Sequence, residues 1–372
     1  MILTRRTVIA AGIGAAVFPA MAFAAAPTDR RLIFVIQRGA ADGLAIAAPT
    51  GDPAFAGVRA ALVEEAATGA RLDGLFTLHP ALESAAALFA AREAHVAHAV
   101  ATVYRDRSHF DGQNMLESGG TRPYGRADGW MNRMLSLLPA DGRSALAVAP
   151  SVPLALRGAL PVATYVPSRL PQANADLIAR LSALYEKDAL LHPLWESAIR
   201  TQELAGEIGG NNGRNGADLG RLAASLMLPA DGARVMMVET GSWDTHSGQR
   251  SRITAQLRGL DQLVGALKAG LGPAWKDTLV IVATEFGRTV AINGSGGTDH
   301  GTGSAALLFG GRLAKGGTVA ADWPGLGTAA LLDGRDLKPT RGLESMIADA
   351  VARHYALDPV EVRKTLYPGV LA

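Results

Sequence analysis

The stretch "RLIFVIQRGAADGL", Arg31 to Leu44, decides the fold, because an apolar run here ends in a polar turn. Its first seven residues are rich in β-branched and aromatic side chains, which predicts a short buried strand. The turn that follows contains Asp42 and Gly43. In open α/β sheets, ligands bind beyond the carboxyl ends of the strands, so a site is expected near this turn.

Strand-like and helix-like segments alternate along the rest of the chain. Further apolar runs predict strands at 94–102, 234–241, 277–287 and 304–311. Helical spacing of apolar residues predicts helices at about 80–92, 247–271 and 343–357. This alternation predicts a three-layer α/β/α fold with a mostly parallel central sheet. Residues 140–230 mix short strand-like and helical pieces, and we interpret them as an insertion between two halves of that sheet.

The amino terminus is typical of an exported protein. Arg5 and Arg6 precede a modest apolar run, which ends at an Ala22-Phe23-Ala24 cleavage pattern. A twin arginine in this position indicates twin-arginine (Tat) export and a periplasmic or secreted protein. We therefore predict a signal peptide at 1–24 and one domain at 27–372. A retained membrane anchor is the alternative, but the run is rich in Ala and Gly and is broken by Pro19.

Composition excludes several classes of function. Lys plus Arg is 36 and Asp plus Glu is 34, and no basic run is present. Nucleic-acid binding needs a clustered basic face, so no nucleic-acid partner is expected. The absence of cysteine excludes disulfides, zinc-thiolate sites and Cys nucleophiles.

Polar residues capable of chemistry lie in five turns, at or after the ends of predicted strands. They are Asp42, Ser108 with His109, Asp244 with His246, Glu285, and Asp299 with His300. Carboxylates and imidazoles that converge on one sheet edge suit a divalent ion such as zinc, manganese, magnesium or calcium. Ser108 is the candidate nucleophile, because it starts a helix after a strand, and a helix amino terminus also favours an anionic group. Arg288 or His109 is expected to steady the anion.

Each of these residues also has a purely structural interpretation. Asp42-Gly43 is a common turn sequence. Ser108 with Asp111 resembles a capping box, and Glu285 could pair with Arg288. The remaining histidines lie in helical or strand patterns and are interpreted as core or surface residues; they are His79, His95, His98, His192 and His354.

The motifs "RGAADGL", "SHFDGQN", "WDTH", "EFGRT" and "GTDHGTG", in that order, resemble the family catalogued as domain of unknown function 1501. The resemblance spans nearly all of the chain after the leader. That family is remotely similar to the alkaline phosphatase superfamily of phosphatases and sulfatases. The resemblance implies an alkaline-phosphatase-like fold.

The resemblance implies that Ser108 matches the nucleophile of that superfamily. It also implies five matches to its metal ligands, namely Asp42, Asp244, His246, Glu285 and His300. Phe286 stands where the superfamily has a metal-binding His, so the number of ions is one or two. Asp299 either binds metal or orients His300.

Three hypotheses of function follow. The first is an exported metal-dependent hydrolase of phosphate or sulfate esters, with a small-molecule or glycan ester as substrate. The second is a non-catalytic periplasmic binding or assembly protein on the same fold, which the Phe286 substitution favours. The third is a metal-free serine hydrolase that uses Ser108 with His300 or His246, although the chain lacks a G-x-S-x-G elbow.

Overall fold

The computed structural model describes residues 29–166, 175–210 and 215–371. The predicted leader at 1–24, with Arg5 and Arg6, lies outside these residues. The strands are β1 Arg31–Gln37, β2 Ala47–Ala48, β3 Ala70–Arg71, β4 Thr77–Leu78, β5 Ala94–Ala101, β6 Ala145–Val148, β7 Ala163–Tyr165, β8 Val235–Thr240, β9 Thr278–Ala283, β10 Ser304–Phe309, β11 Thr318–Ala320 and β12 Arg341–Gly342. The helices are α1 Gly43–Ile46, α2 Phe55–Val58, α3 Ala60–Ala67, α4 Glu83–Ala90, α5 His109–Ser118, α6 Trp130–Leu135, α7 Ala175–Tyr185, α8 Leu191–Gly210, α9 Gly216–Met227, α10 Gln249–Leu271, α11 Leu343–Tyr355 and α12 Pro359–Leu366.

A nine-stranded mixed sheet dominates the described part of the chain. Its order is β11, β5, β10, β9, β1, β8, β6, β7, and β12 also pairs with β5. β1 is parallel to β8 and β9, whereas β10 is antiparallel to both β9 and β5. The carboxyl ends of β1, β5, β8 and β9 therefore meet at one edge, where β10 begins.

Helices cover both faces of this sheet. One buried layer joins strand residues such as Ile33 and Val280 to α4, α9 and α10. The other joins strand residues such as Phe34 and Ile281 to α6, α11 and α12. Each strand thus places alternate side chains in two apolar layers, which is why β1 reads as an unbroken hydrophobic run. The predicted three-layer α/β/α fold is confirmed.

The five predicted strands of the sheet are present, and their ends differ from the predicted ones by at most four residues. The segment at 140–230 contributes β6 and β7, which extend the sheet beyond β8 as parallel strands. These strands lie at the end of the sheet and not between two halves of it, because β8 pairs directly with β1.

No helix among the described residues combines the length and the hydrophobicity needed to cross a bilayer.

Candidate metal centre

Three imidazoles surround Asp244 at the carboxyl edge of the sheet. Asp244 lies in the turn after β8, and its carboxylate oxygens are 3.1 Å from His246 Nε2, 3.5 Å from His109 Nε2 and 3.6 Å from His300 Nε2. His109 begins α5, which follows β5, and His300 lies just before β10. The possible ligand atoms of His109, Asp244 and His300 all lie within 4.8 Å of one another.

Each imidazole is held at its Nδ1 atom by an acceptor. His109 Nδ1 is 2.8 Å from Glu285 Oε1, His246 Nδ1 is 2.9 Å from Asp299 Oδ1, and His300 Nδ1 is 3.0 Å from the carbonyl of Arg107. A carbonyl or an ionised carboxylate can only accept, so all three Nδ1 atoms carry the proton. The three Nε2 atoms then present lone pairs toward Asp244. Metal-binding histidines are commonly oriented in this way.

All three Nε2 atoms of this group lack an appropriate hydrogen-bond partner within the described residues. His109 Nε2 is buried and has no hydrogen-bond partner. His246 Nε2 and His300 Nε2 are only 2.9 Å apart, which sets two acceptors against each other in the neutral rings. A proton or a cation between them relieves this repulsion. The residues therefore fit a bound divalent ion, and nitrogen and carboxylate donors are a set that zinc uses.

Arg288 holds Asp244 and the surrounding turns in place. Its side chain is buried, and its nitrogens donate to the carbonyls of Gly39, Ala40, Trp243 and Thr298. One terminal nitrogen also donates to Asp244 Oδ1. In this structure the Arg288 guanidinium is buried and bonded to protein acceptors, so its predicted contact with a substrate anion stays a prediction.

The electrostatics keep Asp244 ionised and His300 neutral. Burial by itself raises the pKa of Asp244, but the hydrogen bond and charge of Arg288, with the nearby His246 and His109, lower it overall. Burial lowers the pKa of His300, and its electrostatic interactions with His109, Arg288 and His246 lower it further. Ligands must be deprotonated to bind a metal, and both shifts favour that state.

Glu285 lies behind His109 and does not face the other ligands. Its side chain is fully buried, and Oε1 accepts from Gly39 N, His109 Nδ1 and Gln113 Nε2. Burial raises its pKa, but the hydrogen bonds from His109 and Gln113 outweigh that effect and lower it. Glu285 orients His109 in this structure, and the alternative pairing with Arg288 is not observed.

Phe286 occupies the space beside His109. Its ring stacks on the His109 imidazole with centroids 5.0 Å apart, and its side chain is buried. An apolar ring at this position supplies no ligand for a second ion. The described residues therefore fit one ion better than two.

Asp42 is engaged away from the three-ligand group. Arg59 donates to both of its carboxylate oxygens, at 2.5 and 3.2 Å, and Gln249 donates to one of them. Asp42 also caps α1 through Leu44 N. Metal binding by Asp42 would require displacement of the buried Arg59 guanidinium, which leaves a charge unpaired.

Ser108 and Asp299 lie next to the ligands. Ser108 is the N-cap residue of α5 and directly precedes His109, but its side chain makes no capping hydrogen bond, so the predicted capping box with Asp111 does not form. Asp299 accepts from His246 Nδ1 and from Asn293 Nδ2, and these hydrogen bonds lower its pKa. Asp299 therefore orients His246 and not His300 as expected, because the carbonyl of Arg107 takes that place at His300 Nδ1.

Sequence reasoning missed two features of this centre. His109 was expected to steady an anion, but it lies in the three-ligand group. The sequence signal for His109 as a ligand was its position as the first residue of a helix that follows a strand. The carbonyl of Arg107 fixes His300, and a backbone atom leaves no trace in a residue pattern. Among the histidines set aside, His98 is fully buried and bonded to the carbonyls of Gly43 and Ala47.

Residues 29–342 match the family model "Protein of unknown function (DUF1501)", so the chain belongs to that family. No curated protein matches the sequence.

Three solved structures share a weak overall likeness. The C-terminal periplasmic domain of EcEptC from Escherichia coli, solved in complex with Zn, is 7% identical; the match covers 76% of this chain and 73% of that one, with a TM-score of 0.34. A protein of glycosaminoglycan metabolism from Bacteroides thetaiotaomicron is 10% identical, with 78% and 68% covered and a TM-score of 0.34. The phosphonate monoester hydrolase of Agrobacterium radiobacter is 14% identical, with 89% and 84% covered and a TM-score of 0.27. At these TM-scores no residue role is transferred from them.

Proposed function

We propose that the protein is a metal-dependent hydrolase of phosphate or sulfate esters. One observation carries the proposal: His109, His246 and His300, each fixed at Nδ1, direct Nε2 toward the ionised Asp244. Imidazoles prepared in this way are suited to hold a divalent cation at the mouth of an α/β sheet.

His109, Asp244 and His300 would hold the ion, and His246 is placed to join them. A bound divalent cation supplies Lewis-acid stabilisation of an ester oxygen and lowers the pKa of a coordinated hydroxyl. The protein's own contribution is to keep the ligands in place. Arg288 fixes Asp244, and Glu285 fixes His109 through buried hydrogen bonds.

Ser108 is our proposed nucleophile. It adjoins His109, and its hydroxyl is not used for helix capping. Ser108 lies at the amino terminus of α5. The free backbone N–H groups of a helix amino terminus favour a phosphate or sulfate group beside it.

The test is hydrolysis of 4-nitrophenyl phosphate and 4-nitrophenyl sulfate by purified protein with zinc, manganese or magnesium. We expect turnover that a chelator abolishes, and a loss of kcat on the order of 10³-fold or more in Ser108→Ala. Ser151→Ala, an exposed loop serine, is the matched control and should retain full activity. Turnover that survives chelation, or a Ser108→Ala variant as active as the control, contradicts the proposal.

A binding or assembly role is the second candidate. Phe110, the residue after His109, is 80% exposed, and Phe286 replaces a possible ligand. An exposed aromatic residue beside the centre suits contact with a glycan or a protein partner. If Ser108→Ala and His300→Ala both leave the cellular function intact, this candidate is favoured. Asp42→Ala is a poor test, because it leaves the buried Arg59 guanidinium without its carboxylate partner and would destabilise the fold.

We also propose export by the Tat machinery to the periplasm or beyond, on the basis of Arg5 and Arg6. Replacement of both by lysine should leave the full-length precursor in the cytoplasm, as cell fractionation would show. Unchanged export of the variant contradicts this part of the proposal.

A further inference from the structure

A second cavity lies beneath α11, away from the candidate metal centre. Its volume is about 400 Å³, within the range of small-molecule sites. Its floor is formed by the amino-terminal halves of β5 and β9 and by the end of β10, with Ala97, Leu279 and Leu308. Asp244 and its histidines lie at the carboxyl ends of the strands, so the two sites share no residue.

The cavity combines an apolar interior with a basic rim. Leu313 and Met346 complete the apolar surface. The rim has four cationic side chains, Arg312, Lys315, Arg341 and Arg353. An apolar floor with exposed cationic side chains at its mouth suits an amphiphilic ligand, with its body inside and its polar head at the rim.

Three of the four cationic side chains at the rim have no acidic partner among the described residues. Arg312 pairs with Asp277 at 2.8 Å. Asp349, the acid that lines the cavity, pairs instead with Arg363 at 2.7 Å. Within the described ranges, Lys315, Arg341 and Arg353 make no ion pair within 4 Å. Three uncompensated cations around one opening are an attractive site for an anionic head group.

We propose that this cavity binds an amphiphilic anion, that is, a phosphate or carboxylate head on an aliphatic body. The head lies between Arg341 and Arg353, and the body lies against Leu279, Leu308 and Met346. Two arginines can each offer paired N–H donors to the oxygens of such a head, whereas lysine acts as a point charge. The proposal is independent of the proposed hydrolase function.

Calorimetric titration with octyl phosphate tests the proposal. The protein is the full mature chain carrying His300→Ala and treated with chelator, which prevents binding at the metal centre. We expect saturable binding, with octanol and inorganic phosphate each binding at least about tenfold more weakly. R341Q with R353Q should weaken octyl phosphate binding by about tenfold or more. R252Q, an exposed arginine on α10, should leave it unchanged.

Other outcomes overturn the proposal. Octanol that binds as tightly as octyl phosphate shows that charge is not recognised. Inorganic phosphate that binds as tightly shows that the apolar floor is not used. No saturable binding, or equal affinities in the R341Q/R353Q and R252Q variants, shows that the cavity is not the site. Arg341 and Arg353 are both exposed, so their replacement should not disturb folding. Circular dichroism of the R341Q/R353Q variant checks that it is folded.

Discussion

Arg288 shows how burial changes the role of a single residue. From sequence, a cation after a strand end is a plausible anion ligand. In the structure, its guanidinium joins the turn after β1, the turn after β8 and the segment before β10, through Gly39, Trp243 and Thr298. The same side chain binds Asp244 and lowers its pKa. Arg288 therefore joins the turns that form the candidate centre.

Glu285 provides the residue-scale test of the orientation of His109. Glu285→Gln keeps the shape of the side chain but removes the charge behind the imidazole. We expect zinc affinity to fall about 10–100-fold, as when other carboxylates behind metal-bound histidines are replaced. Competition titration with a fluorescent zinc chelator measures the affinity.

Glu344→Gln is the matched control, because Glu344 is also buried and accepts a backbone N–H, from Val103, but does not touch the ligands. Its zinc affinity should equal that of the unsubstituted protein. Equal affinities in both variants would contradict the role given to Glu285.

At the scale of elements, the segment 293–304 positions His300 because its backbone packs closely against the backbone of Arg288 and His246. A Cβ added at Gly301 would lie 2.3 Å from the Arg288 carbonyl carbon, and one at Gly297 would lie 2.2 Å from that of His246. These two glycines let the segment pack directly on the turns that hold the other ligands. Their small size serves close approach, which a glycine-rich sequence does not distinguish from mobility.

Gly301→Ala should therefore damage both folding and metal binding. The clash is with backbone atoms that cannot rotate away, so we expect a destabilisation of about 1–3 kcal/mol or more. Urea unfolding of the metal-free protein measures the free energy of unfolding, and zinc titration measures the site.

Gly294→Ala is the control in the same segment, because nothing lies within 4 Å of a Cβ added there. It should change the free energy of unfolding by no more than about 0.5 kcal/mol. Similar losses in the two variants would contradict the packing explanation.

At the scale of the whole molecule, the alternation of segments sufficed to predict the α/β/α fold. Each buried strand is a short apolar run, and α10 and α11 show clear helical spacing. The place of β6 and β7 at the end of the sheet was not predictable, because pairing partners depend on contacts far apart in the chain.

The candidate site was predictable only in part, for the same reason. Strand ends indicated the edge at which Asp244, His246 and His300 meet in the structure. Which carboxylate faces the three imidazoles, and which lies behind one of them, depends on Arg59, Arg107 and Arg288. Those partners come from distant turns, and no local pattern in the sequence specifies them.

The central claim is that His109, Asp244 and His300 hold a divalent ion, and elemental analysis tests it most directly. Protein purified without chelator, or reloaded with zinc and desalted, should contain about one equivalent of metal. His300→Ala should contain almost none, whereas His192→Ala, a surface histidine on α8, should match the unsubstituted protein. Metal-free protein after reloading, or equal metal in all three proteins, would contradict the claim.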